Sequence, residues 1–424
     1  MERYNEYKDS GVRWLGQIPS HWRTKRFANL FTGNTLINKD FNYQHAYKFN
    51  YGQLIPKGEI GELEEYREVY SKYSIIEKGD IIINGLNLNY DFISQRVACS
   101  PSKGIITSAY IVCRPRENVN YNYYTYLFKA MDNMKLFHGM GSGIRLTLSF
   151  KELRKQLLFL PPLPEQCAIV SYLDAKCAKC DKLIAGNEKQ ITLLQELKQR
   201  IIADAVTRGI NKNVKYKKTN VSWLGEVPEH WETKRAKNIF KKEQRPVQDG
   251  DEIVTCFRDG EVTLRRNRRI SGFTEATDYS HYQHICKGDL VIHQMDSFAG
   301  ASGVSDSDGM GTPVLSVCTA KTDNILNHYY AHILRLMGKN GFILSLYRGI
   351  RERSSDFRFD TFAKQYLPLP PLSEQRSIVS YINEKISKID LLTSKLQKEI
   401  EHLKEYKQRL ISDVVTGQIK VCTE

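Results

Sequence analysis

The sequence predicts an α+β fold in which two tandem α+β domains are separated by two long helices that form an antiparallel coiled coil. Two observations lead to this prediction. The second half of the chain repeats the first at a constant offset of 209 residues, and a heptad pattern of apolar residues occurs once in each half. Two equal halves in one chain also predict a pseudo-two-fold internal repeat.

Two segments carry most of the repeat. Residues 9–26 and 218–235 are identical at ten of 18 positions, and both contain a Trp-Leu-Gly…Pro…His-Trp pattern. Residues 161–210 and 370–419 are identical at 25 of 50 positions. Because both matches have the same offset, the two halves share one framework.

Between these segments the similarity fades. Lys78-Gly79-Asp80 and Lys287-Gly288-Asp289 keep the offset, but residues 34–76 and 243–285 align poorly. Segments that the two halves share are expected to have the same function, and segments that differ are expected to have different functions. Two copies of one fold with different surfaces indicate one kind of ligand that is recognised at two different sequences.

The variable parts are predicted to be α+β. Short β-branched runs, such as Ser74–Ile76, Asp80–Ile83 and Asp289–Ile292, lie between Gly, Asn and Asp turn signals. A tyrosine-rich helical stretch follows in each half, at Tyr123–Met131 and Tyr329–Met337.

A long helix is predicted after each Pro-Pro-Leu sequence, because proline is tolerated at a helix start. Apolar residues then recur at alternating spacings of four and three, which is the pattern of a coiled-coil seam. The seam positions are Leu173, Cys177, Cys180, Ile184, Ile191 and Leu194 in the first copy and Ile382, Ile386, Ile389, Leu396, Ile400 and Leu403 in the second. The two helices are expected to pair with each other; the alternative is that each packs against its own domain.

The net charge of the chain indicates which kind of partner it binds. Lys and Arg number 62 against 48 Asp and Glu, a net charge of +14, which favours nucleic acid or an anionic membrane. No run reaches the ~18–20 apolar residues of a spanning helix, and the polar N-terminus does not resemble a signal peptide. Nine scattered cysteines do not suggest a disulfide framework, so a reducing cytosol is expected.

Two motifs could indicate a metal or catalytic site. Cys177-x-x-Cys180 has no second such pair to complete four ligands, and its cysteines align with seam isoleucines of the second copy, so no metal site is predicted. A catalytic role for His21 or His230 would need a carboxylate or nucleophile at a repeated position, and none is evident. The His-Trp pattern is therefore interpreted as core packing and turn chemistry.

The densest basic cluster is Leu264–Arg269, and arginine pairs with guanine edges or phosphates. A solvated charged hairpin is the alternative. The glycine-rich loop Gly139–Gly143 lacks the ending of a P-loop and is either a basic loop near nucleic acid or an ordinary turn. The predicted DNA-binding residues are Arg145, Arg265, Arg266, Arg268, Arg269, Arg348, Arg351 and Arg353.

Catalytic motifs are missing from the sequence. There is no [Asp/Asn/Ser]-Pro-Pro-[Tyr/Phe/Trp] tetrapeptide of an amino-methyltransferase, no Walker A motif and no Pro-Asp dipeptide of a nuclease. No catalytic residue is therefore predicted.

The doubled motifs resemble those of specificity subunits of type I restriction–modification systems. The Trp-Leu-Gly-x-[Ile/Val]-Pro-x-His-Trp pattern is similar to the start of each of their recognition halves. Leu160–Gln166 and Leu369–Gln375 resemble the entry to their spacer helices, and Lys198–Arg200 and Lys407–Arg409 resemble the ends. The Lys-Gly-Asp strand also fits. One departure is that Arg208 separates Thr207 from glycine, whereas Gly417 follows Thr416 directly.

The resemblance implies target-recognition domains at 1–160 and 209–369 and conserved spacer helices at 161–208 and 370–424. It implies that each domain reads one part of a bipartite, asymmetric site in double-stranded DNA and that the helices fix the number of unread bases. It further implies docking of two copies of an adenine methyltransferase subunit and of an ATP-dependent restriction subunit. S-adenosylmethionine, ATP and Mg²⁺ would bind to those partners, and no cofactor to this chain.

Three other functions remain open from the sequence. They are a standalone DNA-binding regulator, a nuclease that acts alone through an unrecognised site, and a coiled-coil adaptor that does not bind DNA.

Overall fold

The chain is organised as two units that each carry one copy of the repeat, in a computed structural model that describes residues 2–12, 14–34, 36–59, 64–143, 146–268, 271, 279–346 and 356–421. The first unit comprises Met1–Glu188 and Gln397–Glu424, and the second comprises Lys189–Leu396. Each unit therefore contains the beginning of one long helix and the end of the other.

The strands of the first unit are β1 (Tyr7–Val12), β2 (Leu15–Pro19), β3 (Arg23–Arg26), β4 (Phe31–Gly33), β5 (His45–Asn50), β6 (Gln53–Glu59), β7 (Ser74–Ile76), β8 (Ile81–Ile83), β9 (Val97–Cys99), β10 (Gly104–Ile106), β11 (Ile111–Pro115) and β12 (Leu157–Leu160). Its helices are α1 (Phe27–Leu30), α2 (Glu64–Tyr70), α3 (Tyr121–Asn133), α4 (Phe150–Leu153) and the start of α5 (Leu163–Arg208). Two four-stranded sheets have the orders β4-β11-β8-β9 and β6-β5-β10-β7, and β1 pairs with β2 and β3 with β12.

The strands of the second unit are β13 (Tyr216–Lys218), β14 (Glu226–Pro228), β15 (Glu232–Arg235), β16 (Phe240–Glu243), β17 (Val254–Cys256), β18 (Val262–Leu264), β19 (Gln283–Ile285), β20 (Leu290–His293), β21 (Ser302–Val304), β22 (Gly309–Gly311), β23 (Leu315–Ala320) and β24 (Tyr366–Leu369). Its helices are α6 (Ala236–Ile239), α7 (Asn327–Lys339), α8 (Phe342–Ser345), α9 (Phe359–Ala363) and the start of α10 (Leu372–Val415). The sheet β16-β23-β20-β21 repeats β4-β11-β8-β9, and β15–β24 repeats β3–β12. The predicted α+β class and the internal repeat are confirmed.

The differences between the units lie where the sequences diverge. Both units carry a hairpin at the same place in the repeat, β5–β6 in the first and the shorter β17–β18 in the second. Helix α2 follows the hairpin of the first unit, and the counterpart residues 272–278 lie outside the described residues. The hairpins lie within the poorly aligned residues 34–76 and 243–285. The repeated sheet therefore supports a different surface in each unit.

The tyrosine-rich helix of the first unit joins the long helices to the sheet. Asn120 caps α3, because its side chain accepts hydrogen bonds from the backbone N–H groups of Asn122 and Tyr123. The buried Tyr123 and Tyr124 donate their hydroxyls to the backbone carbonyls of Val415 and Phe159, at 2.8 and 3.0 Å. In α7, Tyr329 and Tyr330 donate in the same way to Val206 and Pro368.

The long helices lie antiparallel to each other within each unit. In the first unit Lys407 Nζ contacts Asp181 Oδ1 at 2.6 Å, and in the second Lys198 Nζ contacts Asp390 Oδ1 at 2.7 Å. These two ion pairs are related by the repeat offset. The predicted antiparallel helix pair is confirmed. Among the described helices, none is long and apolar enough to cross a membrane.

A glycine ends each long helix. Gly209 and Gly417 have φ angles of +72° and +74°, in the left-handed region that terminates helices. Each glycine also lies against the tryptophan of a His-Trp pattern. A β-carbon would come within 3.2 Å of Trp231 at Gly209 and within 3.0 Å of Trp22 at Gly417. Other residues are disfavoured there because of both the backbone conformation and the close approach.

Candidate nucleic-acid interface

The His-Trp pattern of the first unit is anchored by the glutamate at the start of α5. Glu165 accepts a hydrogen bond from Nε1 of the fully buried Trp22 at 3.0 Å, and its other contacts are His21 Nε2 at 2.9 Å and the Tyr4 hydroxyl. One carboxylate thus holds the polar edges of three rings. The glutamate of the Leu-Pro-Pro-Leu-x-Glu-Gln motif therefore fixes the start of α5 to the first unit.

The second copy repeats this arrangement and corrects one expectation. Glu374 accepts from Trp231 Nε1 at 2.9 Å and lies 2.7 Å from His230 Nε2. The sequence-based statement that no carboxylate partner repeats beside the histidine is therefore wrong. The carboxylate is shared with a structural tryptophan, and the residue before the histidine is Ser20 in one copy and Glu229 in the other, so this hydroxyl does not repeat.

The glutamine of the same motif is fully buried in both units. Gln166 accepts from the backbone N–H of Asn120 at 3.0 Å and donates to the carbonyl of Pro161 at 2.9 Å. It thereby joins the N-cap of α3 to the start of α5. Its equivalent Gln375 makes three such bonds, with the N–H of Leu326 and the carbonyls of Asn324 and Pro370. The sequence pattern identified these glutamines as a motif but not their role.

The repeated Lys-Gly-Asp motif is also structural. Asp80 is 1% exposed and accepts from Arg114 Nε and Nη2 at 2.9 and 2.7 Å, and from the N–H of Glu77 at 2.8 Å. The hydrogen bonds that Arg114 donates to the Asp80 carboxylate raise the pKa of Arg114. In the second unit Asp289 pairs instead with Arg245 at 2.5 Å. The aspartate is repeated, whereas its arginine comes from β11 in the first unit and from the segment that follows β16 in the second.

Three predicted DNA-binding arginines lie at the end of the hairpin β17–β18. Arg265 and Arg266 form a single 3-10 turn directly after β18. Arg265 Nε lies 3.5 Å from Thr255 Oγ1, and Arg266 Nη1 pairs with Glu252 Oε1 at 2.7 Å. The Arg266 side chain is 65% exposed, so this pair is solvated and weak enough for a phosphate to compete with the carboxylate.

Arg268 is held by two carboxylates and an aromatic ring. Its Nη1 contacts Asp259 Oδ2 at 2.7 Å and Glu261 Oε2 at 2.8 Å, and its guanidinium lies 4.3 Å from the centre of the Phe257 ring. The hydrogen bond with Asp259 raises the pKa of Arg268. These contacts close the hairpin turn, so Arg268 stabilises the shape of the hairpin that presents Arg265 and Arg266.

The remaining predicted DNA-binding arginines lie outside the described residues; they are Arg145, Arg269, Arg348, Arg351 and Arg353.

The predicted seam residues lie on the less exposed side of each long helix. Leu173, Cys177, Cys180, Ile382, Ile389 and Ile400 are buried, and Ile184, Ile191, Leu194, Ile386, Leu396 and Leu403 are half-buried. Burial raises the pKa of the Cys177 thiol, which keeps it protonated. The two cysteines therefore pack as small apolar residues.

One group in the described part of the chain has donors suited to a metal. His284 Nδ1 or Nε2, Cys286 Sγ and an Asp308 oxygen lie within 4.8 Å of one another. His284 Nδ1 lies 2.8 Å from Asp251 Oδ2, and Asp308 Oδ1 accepts from the N–H of Lys287. Three donors fall short of the four ligands of a structural zinc site. The sequence did not predict this group, because Cys286 and Asp308 are distant along the chain. The pairing of β19 with β22 brings them together.

Comparison with known proteins relates the repeat to one family. The family profile described as the type I restriction modification DNA specificity domain matches residues 19–193 and 228–402. The chain is 21% identical to the putative MjaX type I restriction enzyme specificity subunit of Methanocaldococcus jannaschii, over 96% of both chains. It is 24% identical to the EcoBI specificity subunit of Escherichia coli, over 64% of this chain and 60% of that protein.

Solved structures show the same fold. A chain from a type I restriction–modification system, solved to explain complex assembly and conformational transition, superposes with a TM-score of 0.70 at 15% identity, covering 95% of this chain and 99% of the other. The HsdS subunit of Thermoanaerobacter tengcongensis gives 0.54 at 16% identity, covering 95% and 98%. The profile matches both copies of the repeat, so the chain belongs to the family of DNA specificity subunits of type I restriction–modification systems.

Proposed function

We propose that each unit reads one part of a bipartite, asymmetric DNA site and that the chain has no catalytic centre of its own. The observation that carries this proposal is one repeated sheet that carries a different hairpin in each unit, the longer β5–β6 in one and the shorter β17–β18 in the other. Base identity is read by side chains and loops in the grooves, so two different surfaces suit two different half-sites.

The charge of both units supports DNA as the ligand. The first unit contains 30 Lys and Arg and 24 Asp and Glu, and the second contains 32 and 24, so each has a positive net charge. Phosphate contacts provide most of the affinity for DNA and make it salt-dependent. The exposed Arg266 is suited to such a contact.

Two copies of one partner subunit need the same surface twice, and the long helices provide it. Leu183 and its equivalent Leu392 are 46% and 49% exposed, and Leu197 and its equivalent Tyr406 are 46% and 43% exposed. Leu183 precedes the seam residue Ile184, and Leu197 lies two heptads further on, so both occupy the same heptad position beside the seam. Leu392 and Tyr406 occupy that position in the second copy. Leu193 is exposed too, but its equivalent is a histidine. These repeated apolar residues are the proposed docking sites of two adenine methyltransferase subunits.

The cofactors of the reaction would then belong to the partners. The methyltransferase subunits would bind S-adenosylmethionine, and an ATP-dependent restriction subunit would bind ATP and Mg²⁺. This chain would supply only recognition, and the helix pair would fix the number of unread bases between the half-sites.

Co-expression with the methyltransferase subunit, followed by genome-wide mapping of methylated adenines, tests the proposal. Methylation at a single motif of two short sequences with a fixed gap is expected. A stable complex that methylates no such motif would contradict it, and DNA cleavage by the pure chain with Mg²⁺ would contradict the non-catalytic role.

The docking surface has its own test. The double variant Leu183→Asp, Leu392→Asp is expected to lose co-purification with the methyltransferase subunit while DNA binding persists. Val69→Asp places the same charge on α2, where Val69 is 51% exposed, and is the matched control. Equal retention of the methyltransferase by both variants would show that docking occurs elsewhere.

A further inference from the structure

A loop of the first unit, residues 84–96 between β8 and β9, combines a buried arginine with an exposed apolar tip. Arg96 is 1% exposed and donates to four backbone carbonyls, those of Leu86 and Asp91 at 2.8 Å, Asn84 at 3.2 Å and Asn87 at 3.3 Å. A buried guanidinium needs such partners. The carbonyls of the loop thus converge on one cation.

The loop is also fastened to its neighbours. Asp132 of α3 accepts from the N–H of Arg96 at 2.7 Å and from the side chain of Gln95. His138 Nε2 lies 3.1 Å from the carbonyl of Asp91, and its ring stacks on Phe92 with centroids 4.6 Å apart. These contacts hold the loop in one conformation, which lowers the entropic cost of binding through it.

The tip of this ordered loop is apolar and exposed. Ile93 is 92% exposed and Tyr90 is 78% exposed. An isolated exposed apolar residue is common, but two at the tip of a loop pinned by a buried arginine form a preorganised contact surface. Ile93 has no hydrogen-bonding group in its side chain, so it can recognise a ligand only through apolar contact.

The corresponding loop of the second unit, residues 294–301, has a different tip, where Met295 is 46% exposed. This loop is identified by matching hydrogen bonds: Leu148 donates to the carbonyl of Gly85, and Phe357 donates to that of Gln294. The loop is shorter in the second unit. The backbone N–H of His293 bonds to the carbonyl of Ala301, whereas the N–H of the equivalent Asn84 bonds to the more distant carbonyl of Arg96. A partner that docks in two copies needs both surfaces alike, whereas two different half-sites need different surfaces.

We infer that Ile93 and Tyr90 contact bases of the half-site that the first unit reads, with Ile93 against a thymine 5-methyl group in the major groove. The inference rests on the proposed function. A methyl group is the one feature of a base edge that an aliphatic side chain can recognise. The net charge of +6 on this unit, from 30 cationic and 24 anionic residues, attracts the phosphates that bring the loop to the bases.

A binding cycle on the complex with the methyltransferase subunit tests this inference. Wild type and Ile93→Ala are compared on duplexes of the mapped site in which each thymine is replaced in turn by deoxyuridine, which removes only the 5-methyl group. Ile93→Ala is expected to weaken binding about tenfold, and one deoxyuridine to weaken wild type about fourfold. The variant is expected to be indifferent to that deoxyuridine. Leu157→Ala, on an exposed apolar residue of strand β12 in the framework shared by both units, is expected to behave as wild type.

Two results would overturn the inference: additive effects of Ile93→Ala and deoxyuridine at every thymine, or loss of methyltransferase binding by Ile93→Ala. If wild type methylates no bipartite site, the proposed function fails. If wild type methylates one and no coupling is found, only the inference about Ile93 fails. Tyr90→Ala is expected to relax base preference in the same half-site and to leave the other unchanged.

Discussion

Replacing Gln375 with alanine is expected to destabilise the second unit by about 3 kcal/mol. The fully buried side chain accepts from the N–H of Leu326 at 2.8 Å and donates to the carbonyls of Asn324 and Pro370 at 3.0 and 2.9 Å. Alanine leaves three backbone groups without this partner, and each lost bond costs about 1 kcal/mol. The equivalent Gln166 makes two such bonds, so Gln166→Ala is expected to cost about 2 kcal/mol.

Denaturant unfolding gives the loss of stability, and hydrogen exchange locates it. Faster exchange is expected in the first turn of α7 for Gln375→Ala and in that of α3 for Gln166→Ala, with the other unit unchanged. Gln375→Met keeps the volume without the hydrogen bonds and is expected to be nearly as damaging. Gln199→Ala on the exposed face of α5 is the control. A Gln375→Ala variant as stable as that control would refute the assigned role of the glutamine.

Three further predictions concern the seam, the second unit and the arginine turn. Asn187 lies between the seam residues Ile184 and Ile191 and is 8% exposed, and in the described part of the chain its Nδ2 has no hydrogen-bond partner, so Asn187→Leu is expected to raise stability by about 1 kcal/mol; an unchanged or lower Tm would contradict this. Burial lowers the pKa of His332 to about 4, so the unfolded chain takes up its proton first, and stability is expected to fall as the pH drops from about 6.5 towards 4. His332→Tyr should flatten that part of the pH profile, and an unaltered profile would exclude His332 as its cause. Arg265→Ala with Arg266→Ala is expected to weaken DNA binding and reduce its salt dependence; an unchanged salt slope would make the turn a solvated surface.

The sequence already contains the elements that repeat at a constant offset or a regular period. The heptad spacing from Ile382 to Leu403 predicts the helix seam, and the offset of 209 residues predicts that Lys198 and Lys407 play equivalent parts. Both lysines pair with an aspartate of the opposite helix. Local periodicity is enough for this, because a helix places residues three and four apart on one face whatever surrounds it.

The residues proposed to recognise DNA were harder to predict from the sequence. The dense positive charge at Arg265 and Arg266 is visible in the sequence. The ion pair with Glu252, which partly neutralises Arg266, depends on a strand pairing that the sequence does not show. The exposed tip at Ile93 carries no motif at all. The ordered conformation of this tip depends on the buried Arg96. The sequence gives no sign of that burial, because an arginine in a polar stretch is normally exposed.

The sequence by itself determined the repeat, the two long helices with their seam, and the family to which the motifs point. Only the tertiary structure decided that Glu165 holds Trp22 from 143 positions away, and that Arg96 gathers the carbonyls of its loop. The physical reason is the range of the interactions. Helix and seam depend on spacing along the chain, whereas these hydrogen bonds join groups that only the packing of distant segments brings together.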